Sequence, residues 1–471
     1  MKENYQKMKM KTTSYSKMME PYQKEALAVL RDFISINSVL DPKTATKNMP
    51  FGQGVERALN FTAILGKQLG FKVDRCDNYI TELSYGEGEK VFDIYAHCDV
   101  VPVNTKNWTK DPFKLTIEDN NLYGRGTCDD KGPGIACLYA VKALMDNSRL
   151  GGYKLRFLFG GNEENDSLGL KHYFEVLKKG YPTLGISPDA DYPLIYAEKS
   201  IYAYEASYKL NIPEIKSFAW GDALNIVLSE ASVELKEEDP NILESLNQYL
   251  VKHPDVKATY KDKILFFKGK PSHGSLPWLG INAGLHLLNF LGEYYSINLL
   301  KEIYSQYLDG KGLTFDGNFS NQYFDCSSYN VGKFAFDGTT LNLFVNVRFP
   351  SDLPINKVLN NLRKHTSAKI TSLGGSDGFI ADPKSQFVQI LLKSYQEETG
   401  DTKALPLAIG GGTYARESKN SVAFGAAFTN RDYRMHGDDE YFPLADFNDN
   451  LQIYAHAIDQ ISEYLRNGMI K

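Results

Sequence analysis

The chain has 471 residues with 53 basic and 58 acidic side chains, a formal net charge of −5 and 42% hydrophobic residues. That length predicts two or three domains, the apolar content is ample for large cores, and the near-balanced charge excludes a general electrostatic footprint for nucleic acid or anionic membrane. No apolar run reaches the roughly 18 residues of a spanning helix, the first twenty residues lack the apolar centre of a secretory signal, and the five cysteines (Cys76, Cys98, Cys128, Cys137, Cys326) include no close CxxC pair.

Residues 20–37 place Ala26, Leu30, Phe33 and Ile34 on one side at helical spacing. A second helix is expected over 55–69, stopped by Gly70. Short β-like runs follow: FKVDR, ITELSY and VFDIYA at 91–96, the last nearly all apolar, as a buried strand is. A helix over 133–146, a strand over 153–159 and a helix over 168–179 then alternate, with Gly180 as a stop, which argues for a mostly parallel sheet flanked by helices. From about 200 to 380 the texture changes to β-like runs (ILFFKG, TLNLFVNVRFP), one clear helix at 281–295 and polar stretches. After 385 the α/β pattern returns, with a helix at 385–398, a strand at 421–428 and a long helix from about 444. The expected fold is an α/β domain, residues 1–200 and 381–471, interrupted by an inserted α+β domain, 201–380. A reduced, cytoplasmic protein is the expectation for the whole.

Five polar motifs sit at the ends of these elements. In IYAHCDVVP, His97 and Asp99 are two apart on a strand and share a face. One can ligate a metal while the other orients its neighbour's imidazole, or both can be ordinary strand-end residues. LYGRGTCDDKGPG, with Asp129 and Asp130 before a helix, can hold a metal or form a tight turn; it fits neither GxGxxG nor GxxxxGK[ST], so a phosphate loop is a poor reading. FLFGGNEEND sets Glu163 and Glu164 at a strand's carboxyl end, where open α/β sheets place ligands. Adjacent carboxylates there need a cation or a proton between them, unless the loop is simply solvated. GISPDADYP brings Asp189 and Asp191, and YRMHGDDEYF brings His436 ahead of three acids. Jointly this is a His/Asp/Glu ligand set that uses no cysteine, suited to two hard-to-borderline divalent ions.

The order HCD, GRGTCDDKG, NEEND, SPDADYP, MHGDDE resembles the M20 family of dinuclear metallopeptidases. The block GKPSHGSLPWLGINA, the strand NVRFP and the loop IGGGTYAR are similar to its PepV-type dipeptidases. The resemblance covers roughly residues 20 to 465. It implies that Asp129 bridges two divalent ions, zinc or manganese with cobalt as a further option. His97 and Asp189 would complete one site, and Glu164 and His436 the other. It implies Glu163 as general base, Asp99 as the residue orienting His97, and His273, Asn225 and Arg348 as groups holding substrate or its tetrahedral intermediate, with Gly412 and Thr413 of the glycine loop also at the substrate. Asn225 stands in NIVLSE, where relatives usually have a proline after the valine. Cys98 and Cys128, beside the metal residues, are expected to be packing residues. The implied activity is hydrolysis of dipeptides with a free N-terminus. The rivals are an N-acyl amino acid deacylase or desuccinylase, which would share every metal residue, and a non-catalytic peptide-binding relative, against which the presence of Glu163 counts. The α/β domain would be catalytic and the inserted domain its lid, of about 180 residues, long enough for two of the short lids by which smaller relatives dimerise, which implies a monomer.

Overall fold

The nearly all-apolar strand Val91–His97 is the axis of the first of two units in the chain. Phe92, Ile94, Tyr95 and Ala96 are wholly buried, as are Leu155, Phe157, Leu158 and Phe159 on the neighbouring strand Lys154–Gly160. This is a computed structural model, and it describes residues 10–429 and 431–468. The first nine residues, where the Lys/Met-rich start was read, lie outside the described residues. One unit comprises Met1–Tyr196, Ala381–Leu407 and Thr413–Lys471; the other comprises Ala197–Ile380 and Ala408–Gly412.

The sheet of the first unit runs in the order Lys72–Asp74, Ile80–Tyr85, Lys154–Gly160, Val91–His97, Leu184–Ser187, Ser421–Ala423, Ile195–Glu198, Leu407–Ile409. The four strands from Lys154–Gly160 to Ser421–Ala423 are mutually parallel, while Ile80–Tyr85 joins them antiparallel, so the sheet is mixed with a parallel centre. Helices Ser14–Ile34, Lys131–Asp146 and Leu444–Arg466 pack on one another. The first begins at a capping box in which Thr13 Oγ1 accepts the amides of Tyr15 and Ser16, satisfying donors that a helix start leaves bare.

Two elements differ from expectation here. The segment expected as one helix over 168–179 is a single α-turn, Leu168–Lys171, continued by a π-turn, His172–Val176, with Lys178 and Gly180 at positive φ. The strand expected over 421–428 ends at Ala423, because the chain turns at Gly425 (φ 70°). A Cβ there would lie 2.3 Å from the Tyr192 ring, so only glycine fits, and Ala426–Ala427 pairs with Ala190–Asp191 instead.

The second unit is built on an antiparallel sheet in the order Phe218–Trp220, Ser328–Phe336, Thr340–Phe349, Ser200–Lys209, Lys369–Ser376, with a three-stranded sheet of Glu230–Glu234, Ile264–Lys268 and Lys257–Lys261. Leu341, Leu343, Val345 and Val347 alternate into its core. The expected helix is present as Ala283–Tyr294, but Ile242–Lys252, Asn298–Tyr307 and Ile355–His365 are helical as well. Each of these three buries three apolar or aromatic side chains, and in Ile242–Lys252 further apolar residues, Leu243 and Val251, lie exposed, so no clear apolar stripe stands out.

Candidate metal centre

Parallel strands end with their carboxyl ends on one side, and three of the polar motifs, those of His97, Glu163–Glu164 and Asp189, follow such ends. Val91–His97 delivers His97, whose imidazole is 1% exposed. Its Nε2 lies 2.8 Å from Asp129 Oδ1 and 3.8 Å from Asp189 Oδ2. Its Nδ1 meets the backbone carbonyl of Asp99 at 2.9 Å, whereas the Asp99 carboxylate is 3.6 Å away. The main chain of Asp99, more than its side chain, therefore orients the ring with Nε2 inward. The Asp99 carboxylate instead accepts the backbone N–H of Glu163 at 3.1 Å and of Glu164 at 3.2 Å, pinning the glutamate pair that follows Lys154–Gly160.

Asp129 stands in the turn before helix Lys131–Asp146 and presents one oxygen to each side. While Oδ1 faces His97, Oδ2 lies 2.7 Å from His436 Nε2, which is itself 3.1 Å from Glu164 Oε2. Two triads result, His97–Asp129–Asp189 and Asp129–Glu164–His436, and within each the candidate ligand atoms all lie within 4.8 Å of one another. Asp191 is exposed on the short strand Ala190–Asp191 and belongs to neither.

The electrostatics are those of a crowded anionic pocket. Burial, then the charge of Asp129, pushes the Asp189 carboxyl up to about 8. Burial and then Asp189 raise Glu163 well above the usual range, and burial and then Asp129 raise Glu164. Against the pull of burial, hydrogen bonds from His436 and His97 hold Asp129 low. Burial alone would also depress the histidines, but the hydrogen bonds to Asp129 and Asp99 raise His97, and those to Asp129 and Glu164 push His436 up to about 11. Two imidazoles and three carboxylates in bridged triads match the donor set of two borderline divalent ions, so the residues fit such a pair. Cys98 and Cys128 are buried beside it, and burial pushes both thiols up, the state of packing residues.

Four further residues stand beside the centre, in motifs read from the sequence but with no individual role assigned there. Asp130 Oδ2 accepts the backbone N–H of His97 at 3.1 Å. The Tyr414 ring stands edge-on to the His97 ring at 6.2 Å, and its hydroxyl donates to the Gly161 carbonyl. Arg125 and Glu440 form a buried ion pair at 2.5 Å. Glu440 is the last of the three acids after His436; Asp438 is exposed, Asp439 is buried against Thr109, and Glu440 alone of the three bonds the turn of Asp129.

In the second unit, Asn225 and His273 lie on paired segments: Gly274 N donates to the Asn225 carbonyl at 2.6 Å, and Ile226 bridges to His273. The His273 side chain is exposed, with Nδ1 2.6 Å from Ser275 Oγ. Arg348 is only 4% exposed, unlike a surface arginine; Nε donates to Asn346 Oδ1 at 3.0 Å and Nη1 to the Gly410 carbonyl at 2.6 Å, which places it at the glycine loop that ends with Gly412. Thr413, in the first unit, accepts the Ala415 amide at 3.1 Å and caps the turn Tyr414–Glu417.

Comparison with known proteins agrees with this geometry. A protein of Staphylococcus saprophyticus named "Putative dipeptidase" is 31% identical over 468 residues, spanning 93% of this chain and 97% of its own. A Bacillus subtilis protein of the same description is 32% identical over 456 residues, spanning 92% and 96%. Among solved structures, an M20 family metallo-carboxypeptidase from Sulfolobus solfataricus superposes with a TM-score of 0.58 at 18% identity, covering 93% of this chain and 99% of that one, which shows a shared fold. The family description "Peptidase family M20/M25/M40" matches residues 94–460. With the two triads bridged by Asp129, that match makes the chain a metallopeptidase of the M20/M25/M40 family.

Proposed function

We propose that the protein is a dipeptidase, cutting dipeptides with a free N-terminus, and that it holds two divalent ions, zinc or manganese with cobalt as a further candidate, one in each triad. The observation that carries this reading is Asp129, with one carboxylate oxygen directed into each triad. The names of the relatives support the substrate class. When bound, two such ions would supply Lewis acidity toward a scissile carbonyl and lower the pKa of the attacking water. Glu163 takes the proton of that water and returns it to the leaving amine, a role worth roughly 10²–10⁴-fold. Asp99 acts on the same step by fixing the Glu163 backbone and the His97 ring.

In the second unit, His273 donates to the developing oxyanion and Asn225 holds the substrate beside it. Arg348 takes the substrate's carboxylate through paired charge-assisted hydrogen bonds, with Gly412 and Thr413 lining that end. Residues 201–380 serve as the lid of this site, and one chain is the functional unit. A reduced cytoplasmic setting suits the five free thiols, four of them buried. Among the described residues no helix is long and apolar enough to cross a membrane.

The experiment is a panel of dipeptides, N-blocked dipeptides and N-acyl amino acids, assayed with chelated enzyme while one metal at a time is restored. Cleavage of free dipeptides alone, restored by a divalent ion, is the expected result. Cleavage of acyl amino acids without need of an α-amine would replace this reading with a deacylase.

A further inference from the structure

The two triads are held by different means. His97 and Asp189 follow adjacent parallel strands. His436 stands on a loop where Arg434, His436 and Asp439 all take left-handed backbone angles (φ 52°, 61° and 53°), and half of its side chain is exposed. Such angles at residues with a Cβ are costly and persist only where surrounding contacts over-determine them.

Asp439 is held by the Thr109 amide at 2.8 Å and hydroxyl at 3.0 Å, and Glu440 and Arg125 provide the contacts that reach the turn of Asp129. Glu440 Oε1 accepts the amides of Gly126 at 3.0 Å and Cys128 at 2.9 Å, while Oε2 pairs with Arg125 Nη1. Arg125 Nη2 in turn donates to the carbonyl of Gly437, the residue after His436, at 3.0 Å. The main chains meet as well, Gly124 N donating to the Glu440 carbonyl at 3.1 Å. Both side chains are almost wholly buried, 2% and 0% exposed. The turn of Asp129 has further bonds of its own, Thr127 Oγ1 to the Gly124 carbonyl at 2.7 Å and Gly132 N to the Gly126 carbonyl at 3.1 Å. Loss of Glu440 therefore releases the His436 loop more than it releases Asp129.

We propose that Glu440 and Arg125 are positioning residues that lock the His436 loop onto the Asp129 turn, and that the Asp129–Glu164–His436 half of the centre holds its ion only while this lock is closed. The His97–Asp129–Asp189 half depends on them less, because it shares Asp129 but takes His97 and Asp189 from strand ends. This rests on the dinuclear reading above. It makes the two halves unequal: one preformed by strand ends, the other assembled by a buried charge pair between two loops.

The test is to titrate the metal-free full-length chain with Zn²⁺ by calorimetry and to count ions per chain after dialysis, with Co²⁺ absorption as a second readout of each site. The wild type takes two ions. Glu440→Ala keeps one at close to wild-type affinity and binds the second about 10- to 100-fold more weakly, the range found when groups that orient metal ligands are removed. Glu440→Gln retains an acceptor for the two amides and falls between, a graded rescue that a general loss of stability would not produce. Should the alanine variant lack a cooperative melt, the glutamine variant carries the test by the same criterion. Equal weakening of both ions, or two ions at unchanged affinity, overturns the assignment. A wild type that never takes a second ion defeats the dinuclear reading itself, and this assignment with it, before any variant is made.

Discussion

The first unit draws His97, Asp189 and the glutamate pair from the ends of buried parallel strands and Asp129 and His436 from loops beside them; the second draws its candidates from two bridged segments and a single strand residue. His97 is enclosed and oriented by a backbone carbonyl, whereas His273 is exposed and touches a serine two residues on. The difference teaches where each kind of chemistry can reside. Ion binding needs several donors converging within a few ångströms, which a sheet with aligned carboxyl ends supplies at little further cost. Substrate contact needs groups that meet a partner arriving from solvent, which the exposed His273 suits, while Arg348 is buried at the glycine loop.

Experiments can break or sharpen this contrast. Removal of metal has the largest expected effect: chelation abolishes hydrolysis, and zinc, manganese or cobalt restores it, as a simple rate assay shows. Full activity in chain verified as metal-free by elemental analysis would sink the mechanism. Glu163→Gln comes next, with kcat down by roughly 10²–10⁴-fold and both ions retained, since an amide cannot take the proton. If the variant loses ions instead, Glu163 is a ligand and the division of labour with Glu164 is wrong. In the second unit, His273→Ala lowers kcat by roughly two to three orders of magnitude with metal content unchanged. Arg348→Ala raises KM for dipeptides more than for substrates with a blocked C-terminus. Near-normal kinetics in both variants would take the second unit out of the reaction.

The smallest effect is on stability. Burial, helped by the nearby His253, depresses His286 to about 4, and the ring sits by the Tyr249 hydroxyl at 3.1 Å. Unfolded histidine titrates near 6.5. Between those values the unfolded chain binds a proton that the folded chain does not, so stability rises with pH across the window. The contribution is complete above about pH 6.5 and is lost as pH falls toward 4, up to about 3 kcal/mol at the acid end. Thermal melts of the wild type and His286→Gln at pH 7 and pH 4.5 check it: the variant should lose less on acidification, and equal losses would remove His286 as the source.

Legibility in the sequence followed local physics. VFDIYA and YKLRFLF could be read as buried strands because a parallel strand covered on both faces is apolar at nearly every position. Helices Ile242–Lys252, Asn298–Tyr307 and Ile355–His365 could not, since each buries only three apolar or aromatic side chains. The break at Gly425 depends on a Tyr192 ring more than 230 positions away in the chain, which no local pattern encodes. At the centre, the order of the motifs placed five candidate ligands at element ends. It could not reveal that the Asp99 carboxylate serves the glutamate pair, or that Arg125 finds Glu440 across 315 positions. Those contacts exist only once the loops have been brought together.

Asp99 has one more consequence. Its carbonyl steers His97 while its two carboxylate oxygens grip successive amides of the glutamate pair, so the proposed base, a candidate ligand of one triad and a candidate ligand of the other are tied to one residue. None of the three can be shifted without moving its companions, and paired substitutions among them will be strongly non-additive. A centre joined in this way has little freedom to drift by small steps. Diversification of what is cut would then fall to residues outside that knot, leaving the reacting groups a constant against which new specificities can be tried.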